Sequence, residues 1–195
     1  MKKKESRVNF KRIVFASTIA VTLVAAISFS ENLGYAAGVH KGGHGHDKMM
    51  KIGVPGKADQ ATRTIKVLMR DNEYEPKSIS VKEGETVRFL IENAGEFVHE
   101  FAIATKEMHE AHRPEMMKMM ESGFLETYKI NWDMAKKIQS SMGHGMHDEL
   151  NSKLLEPGKS GEIIWTFPKH AKLEFACNVP GHYETGMVGK FKFTH

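Results

Sequence analysis

Cysteine is almost absent from this sequence, since Cys177 is the single cysteine among 195 residues. One cysteine excludes a disulfide framework within the chain. It also leaves no cluster of closely spaced Cys and His ligands around the thiol for zinc, and no Cys-x-x-Cys-His motif for haem attachment. The solitary thiol is therefore an inert buried side chain, an intermolecular disulfide partner, a nucleophile or a ligand to another metal.

An excess of basic charge is also lacking once the first 36 residues are set aside. Residues 1–36 carry six of the 28 Lys and Arg but only two of the 24 Asp and Glu, so the formal net charge falls from +4 to zero without them. A balanced chain has no electrostatic footprint for nucleic acid. The remaining residues suffice for one domain with a full core.

Residues 1–36 have the three-part pattern of a secretory signal peptide. A basic start, Lys2 to Arg12, precedes an uncharged apolar run from Ile13 to Phe29, and small residues follow at Gly34 to Ala36. This pattern predicts export, with cleavage after Ala36 or Ala37 and no membrane span left in the mature protein. An uncleaved anchor is the alternative, because the run is about as long as the shortest spanning helices.

Residues 37–61 follow as a flexible tail that is rich in His and Met and has no apolar periodicity. Cleavage after Ala37 would place His40 third from a free amine, which is a strong square-planar Cu(II) chelate. His44 and His46 are further candidate ligands in this tail. A merely solubilising tail is the alternative interpretation.

Residues 62–195 predict an all-β sandwich or barrel with one insertion. Alternation of apolar and polar residues predicts short strands at 64–69, 79–81, 86–91, 97–104, 161–167, 172–177 and 188–193. Turns every dozen or so residues are typical of a sandwich. Residues 105–157 instead carry helix formers and little β-branching, which predicts helical segments and loops inserted between two strands.

One short connection near the end of the chain presents three metal-binding side chains. Cys177 ends a predicted strand, His182 follows five positions later, and Met187 precedes the last strand. A thiolate, an imidazole and a thioether suit copper, and a second imidazole would complete the His₂Cys plane with axial Met of blue-copper sites. His99, at the start of an apolar strand after the turn at 93–96, is the candidate; a satisfied core histidine is the alternative. A Cys–His nucleophilic pair would leave Met187 unexplained.

These four residues and their spacing resemble the cupredoxins over residues 62–195. The Cys-x₄-His-x₄-Met spacing is similar to that of rusticyanin and auracyanin, and the insertion and His/Met-rich extension are most similar to periplasmic copper-tolerance cupredoxins of the CopI type. The resemblance implies a Greek-key β-sandwich holding one type 1 copper on His99, Cys177, His182 and Met187, with His182 nearest the surface. It departs at Val98, where azurin has a glycine, and at Glu100, where many relatives carry a small polar residue.

The remaining His and Met residues suggest a second, labile copper region. Met116, Met117, Met119 and Met120 point all round a predicted helix, so they cannot all face one core. Thioethers select Cu(I) and imidazoles accept either oxidation state; core packing is the alternative. The candidate residues are His40, His44, His46, Met108, His109, His112, Met116, Met120, Met142, His144, Met146 and His147.

Two functions follow from this pattern. The first is an exported, periplasmic type 1 copper protein of copper tolerance and homeostasis, which cycles Cu(II)/Cu(I) by one-electron transfer. The alternative is a periplasmic electron shuttle with an unknown redox partner and no copper-handling role. The His/Met segments favour the first, because a shuttle needs neither. We predict a monomeric non-enzyme that binds copper ions; cuprous oxidase activity is a weaker alternative, since no multicopper oxygen site is visible.

Overall fold

The computed structural model describes residues 51–134, 136–137 and 150–194. The predicted signal peptide, His40, His44 and His46 of the tail, and Met142, His144, Met146 and His147 of the insertion lie outside the described residues. The described elements are β1 (Val54–Pro55), a 3₁₀ turn (Ala58–Gln60), β2 (Arg63–Arg70), β3 (Glu73–Glu75), β4 (Ser78–Lys82), β5 (Thr86–Asn93), β6 (His99–Ala104), α1 (Lys106–Glu121), β7 (Ser152–Leu155), β8 (Ser160–Thr166), β9 (Glu174–Ala176) and β10 (Val188–Thr194).

The strands form two five-stranded sheets, which confirms the predicted all-β sandwich. One sheet has the order β1-β8-β5-β2-β3 and the other the order β4-β10-β9-β6-β7. Both are mixed, because β2 pairs in parallel with β5 and β4 pairs in parallel with β10. Side chains on β2 and β5 alternate between buried and accessible, as expected for strands with one face on the core.

The core between the sheets is largely aromatic. Phe89, Phe101, Phe175 and Phe191 pack with ring centroids 5.1–6.1 Å apart, mostly tilted or edge-on. Trp165 is fully buried and donates its indole N–H to the carbonyl of Ile52 at 2.8 Å. Aromatic rings bury large apolar areas and add edge-to-face attraction, so this cluster anchors the two sheets to each other.

Three neighbouring strands bring the candidate ligands to one end of the second sheet. Ala176 on β9 pairs with Ala102 on β6 and with Val188 on β10. Both pairings are antiparallel, so the start of β6, the end of β9 and the start of β10 lie at the same end of the sheet, measured along the strands. His99, Cys177 and Met187 occupy those three positions.

Segment 105–157 contains a strand that the sequence analysis did not predict. β7 (Ser152–Leu155) pairs with β6 through His99↔Leu155 and Ala102↔Ser152, and so forms the edge of the second sheet. The first of the helical segments expected within 105–157 is present as α1, with Thr105 accepting at its N-cap from the N–H of Met108 at 3.3 Å. β1 and β3 were also unpredicted, because two or three residues are too few to show a period. No helix within the described ranges is long and apolar enough to cross a membrane.

Candidate metal centre

The structure brings His99, Cys177 and His182 together at the end of the second sheet. Nδ1 of His182 is 3.1 Å from Nδ1 of His99 and 3.4 Å from Sγ of Cys177, and Sγ is 4.0 Å from Nδ1 of His99. Among the described residues this is the one group of three or more His, Cys, Asp or Glu whose ligand atoms all lie within 4.8 Å of one another. Two imidazole nitrogens and one sulfur thus lie around a common volume.

His99 presents its Nδ1 to this centre because its other nitrogen is occupied. Nε2 is 2.9 Å from Oδ1 of Asp71. Burial lowers the pKa of His99, although the Asp71 carboxylate opposes this, so the ring is neutral near pH 7. Burial opposes ionisation of Asp71, but hydrogen bonds from His99, Glu96 and Phe97 hold its pKa below the ordinary value. A neutral ring that donates through Nε2–H leaves the Nδ1 lone pair free to bind a metal.

Cys177 is a completely buried thiol that accepts a backbone hydrogen bond. The N–H of Glu100 lies 3.3 Å from its Sγ, and its own N–H donates to the carbonyl of Met187 at 3.2 Å. Burial raises the pKa of the thiol far above its ordinary value. Such a thiol stays protonated without a metal, whereas a coordinating metal ion deprotonates it. It is therefore unsuited to act as a free nucleophile.

His182 lies in the middle of the ligand loop, defined here as residues 178–186 together with the flanking Cys177 and Met187, and Met187 lies at its end. Burial lowers the pKa of His182 to about 4, with His99 contributing, so its ring is also neutral near pH 7. Met187 is fully buried, and its N–H donates to the carbonyl of His182 at 3.0 Å. Gly181 has φ +88°, a conformation that only glycine adopts without strain, and the chain turns at Pro180-Gly181, where the N–H of His182 donates to the carbonyl of Val179 at 3.0 Å.

A buried polar network lies behind the centre. Glu100 is fully buried, and burial raises its pKa. Its carboxylate accepts from the side chain of Asn178 at 2.8 Å, the N–H of Asn178 at 3.2 Å and the hydroxyl of Ser152 at 3.0 Å. Because Asn178 donates through its amide nitrogen, its Oδ1 is the acceptor for Nδ1 of His109 at 3.1 Å. The departure at Glu100 noted in the sequence thus joins strand β6, strand β7 and the ligand loop.

Helix α1 contacts the ligand loop through His109 and Arg113. His109 reaches Asn178, Arg113 forms an ion pair with Glu184 at 2.6 Å, and the Arg113 guanidinium lies 4.8 Å from the ring centroid of Tyr183. The hydroxyl of Tyr183 in turn donates to Glu174 at 2.6 Å. The segment inserted between β6 and β7 therefore packs directly against the loop that carries His182.

The described members of the proposed second copper region occupy different environments. Met116 is fully buried in the apolar core, and His109 is buried against Asn178. Met108 and Met120 are partly buried and pack against the same core. His112 is also partly buried, and its Nδ1 lies 3.0 Å from Glu115. Met116 and His109 thus have packing partners, and among the residues that the structure describes no second group of His, Cys, Asp or Glu brings its ligand atoms together.

Asp71 and Asn178 were absent from the sequence-predicted site. Asp71 follows β2, and it meets His99 because the parallel register Met69↔Asn93 places the end of β2 beside the turn that precedes β6. No local pattern reveals that contact. Asn178 directly follows Cys177, so its position in the loop was the available signal.

The donor set fits copper. The ligand atoms of two neutral imidazoles and a buried thiol lie close together, and Met187, which carries a thioether, is buried at the same end of the sheet. This is the ligand chemistry of a His₂Cys site with a weak axial thioether, the arrangement of blue-copper centres. A sandwich of two mixed sheets with such a centre at one edge defines a cupredoxin-type copper protein.

Comparison with known proteins agrees with this class. A family model for a cupredoxin-like domain matches residues 48–122. The chain is 47% identical over 149 residues to the copper-resistant cuproprotein CopI of Pseudomonas aeruginosa, covering 71% of this chain and 80% of that protein. It is 35% identical over 181 residues to CopI of Rubrivivax gelatinosus, covering 92% and 96%. The chain therefore belongs to the CopI family of cupredoxins.

A solved structure supports the fold. Auracyanin B superposes with a TM-score of 0.51 and 18% sequence identity, covering 74% of this chain and 97% of auracyanin B. At that identity the likeness concerns the architecture alone.

Proposed function

We propose that this protein is an exported type 1 copper protein of copper tolerance, which binds copper through His99, Cys177, His182 and Met187 and cycles it between Cu(II) and Cu(I). The observation that carries the proposal is the convergence of Nδ1 of His99, Nδ1 of His182 and Sγ of Cys177 within 4.0 Å. The CopI relatives are described as copper-resistant cuproproteins, which supports the copper-tolerance role. The signal-peptide pattern of residues 1–36 supports export to the periplasm.

Each ligand has a distinct role in this proposal. Cys177 would hold copper as a thiolate, His99 and His182 would hold it as neutral imidazoles, and Met187 would supply a weak thioether donor. Bound copper supplies one-electron transfer, and ligands that lie between the preferences of its two oxidation states keep the rearrangement small. The chain's contribution is to hold these donors at one end of the second sheet and to exclude water from the buried thiol.

The test is the visible absorption of the purified, copper-loaded protein. Thiolate-to-copper charge transfer gives an intense band, and Cys177→Ser removes it because a hydroxyl does not replace the thiolate. Cys177→Ser also lowers copper binding at this site. A wild-type copper complex without such a band, or a band that survives in Cys177→Ser, would refute the assignment.

A second candidate function is an electron shuttle without a copper-handling role. The observation in its favour is that His182 is partly accessible and lies beside aromatic rings: its centroid is 6.2 Å from Phe97, which in turn is 5.6 Å from the exposed ring of Tyr128. An accessible ligand histidine in apolar surroundings suits contact with a redox partner. Deletion of the gene separates the two functions: copper-sensitive growth supports copper tolerance, and a respiratory defect at low copper supports the shuttle.

A second, labile copper region is a further part of the proposal, and its support is the affinity of thioether and imidazole side chains for copper. Its described residues with some exposure are Met108, His112 and Met120, and the exposed Met117 lies on the same helix. Copper titration of the full chain measures it: more than one copper per chain supports the region, and a stoichiometry of one contradicts it.

A further inference from the structure

Asp71 begins the two-residue turn between β2 and β3 and reaches the candidate copper centre from the first sheet. Its Oδ1 is 2.9 Å from Nε2 of His99. The same carboxylate accepts from the N–H of Glu96 at 3.0 and 3.2 Å and from the N–H of Phe97 at 3.4 Å. One partly exposed side chain thus ties both the ring of His99 and the loop preceding it to the end of β2.

Gly95 packs closely against the hydrogen bond between Asp71 and His99. A Cβ at Gly95 would lie 2.4 Å from Oδ1 of Asp71 and 2.9 Å from Nε2 of His99. Both distances are shorter than any normal contact with a carbon atom, so a larger residue at this position would displace the hydrogen bond. The loop is therefore packed around the Asp71–His99 pair.

The next residue of the same turn reaches the ligand loop. Oδ1 of Asn72 is 2.9 Å from the hydroxyl of Thr185, which also lies 2.9 Å from the carbonyl of His182. The β2–β3 turn consequently contacts both segments that carry the candidate histidine ligands. A carboxylate faces the buried histidine, and a neutral amide faces the loop of the accessible one.

We propose that Asp71 is a positioning residue of the copper centre, which fixes His99 as the Nε2–H tautomer, directs its Nδ1 at the metal and favours Cu(II) over Cu(I). This role rests on the proposed copper function. A carboxylate that accepts from a ligating imidazole fixes the ring orientation and raises the basicity of the ligating nitrogen. Its negative charge also stabilises the ion of higher charge.

The experiment compares the full chain with its Asp71→Asn variant. Asparagine has nearly the same shape and keeps an oxygen acceptor for Nε2–H, but it removes the charge. We expect affinity for Cu(II) to fall about 10- to 100-fold, as is usual when such a partner of a metal ligand is lost. The affinity for Cu(I) falls less. Each tenfold loss of affinity for Cu(II) relative to Cu(I) raises the reduction potential by about 59 mV.

Glu96→Gln is the matched control, because Glu96 is an exposed carboxylate of the same loop whose backbone N–H, rather than its side chain, contacts Asp71. It removes one negative charge near the centre and leaves the acceptor of His99 in place. Competition titrations with Cu(II) and Cu(I), together with the reduction potential, are measured for all three proteins. We expect Glu96→Gln to behave nearly as the wild type.

A measurement without copper tests the tautomer directly. The ¹⁵N NMR shifts of the imidazole of His99 in the copper-free wild type should show a protonated Nε2 and an unprotonated Nδ1. The opposite tautomer would overturn the proposal even if Asp71→Asn failed to fold. Equal potentials and affinities in Asp71→Asn and Glu96→Gln would overturn it while leaving the copper function intact. A wild type without a thiolate–copper band would instead refute the underlying copper function.

Discussion

His109 offers a decisive test of whether helix α1 binds copper or packs against the ligand loop. The imidazole is 1% exposed, and its Nδ1–H donates to Oδ1 of Asn178 at 3.1 Å. His109→Leu keeps a side chain of similar bulk but removes the donor, so the buried Oδ1 of Asn178 loses its partner. An unsatisfied buried acceptor costs about 1–3 kcal/mol. We expect the free energy of unfolding at pH 7.5 to fall by that amount.

The pH dependence of the free energy of unfolding provides a second, independent test of the buried position of His109. Burial lowers the pKa of His109 to about 4 from an ordinary 6.5. Between these values the unfolded chain takes up a proton that the folded chain does not, so wild-type stability falls as the pH falls from 6.5 to 4. One pKa unit corresponds to about 1.4 kcal/mol, so this contribution reaches about 3 kcal/mol. His109→Leu lacks it, and the stability gap between the two proteins should close or reverse near pH 4.

Urea unfolding of the copper-free proteins from pH 4 to pH 7.5 measures both effects, and the other histidines cancel in the comparison. Met117→Leu is the control for the unfolding measurements alone, because Met117 lies on the same helix with 45% of its surface exposed. Copper titration completes the test: packing predicts an unchanged copper count in His109→Leu. A variant that loses a copper ion while keeping wild-type stability at pH 7.5 would refute the packing interpretation and restore His109 as a ligand.

Two further predictions concern the sheet and the cover of the centre. Gly189→Ala places a Cβ 2.0 Å from ring atoms of Phe175, which is fully buried among other core rings. Because the ring cannot move without disturbing its neighbours, overpacking should lower the free energy of unfolding by about 1–3 kcal/mol. Thermal denaturation beside the exposed control Lys190→Ala measures this, and equal stabilities would contradict it. Phe97→Ala removes the ring beside His182 and should accelerate withdrawal of copper by a chelator several-fold, whereas Tyr128→Phe, which keeps its ring, should not. An unchanged rate in Phe97→Ala would show that the ring does not shield the site.

The sandwich and two of the three converging side chains could be predicted because their signals are local. Cys177 and His182 share one connection between clearly alternating strands, whereas His99 was chosen only because it follows a turn at the start of an apolar strand. β7 could not be predicted, since Ser152–Leu155 is short and gains its identity only by pairing with β6. The contact between Asp71 and His99 depends on the register of β2 on β5, which is a property of the folded sheet rather than of either segment.

The burial of the side chains on α1 was not predicted, for a different reason. Met116 was selected for its soft sulfur and His109 for its imidazole, and side-chain chemistry does not distinguish a ligand from a buried neighbour. The spacing of His109, His112, Met116 and Met119 by three or four residues is that of one helix face, and three of these four residues are buried. That periodicity was a visible signal for packing. Met117, which lies off this stripe, is the exposed one.

The inserted segment therefore cannot be treated as a separable copper-binding module. Its helix contacts the ligand loop through His109 and Arg113, and β7 supplies Ser152 to the carboxylate of Glu100 beside Cys177. Deleting or simplifying the whole of 105–157 would remove these supports together with any additional copper ligands, so a lost copper ion could not be attributed to either cause. The copper count is informative only when exposed sulfur and imidazole groups are changed singly. Met117→Leu is the appropriate first substitution, because it removes a thioether from the surface without touching the centre.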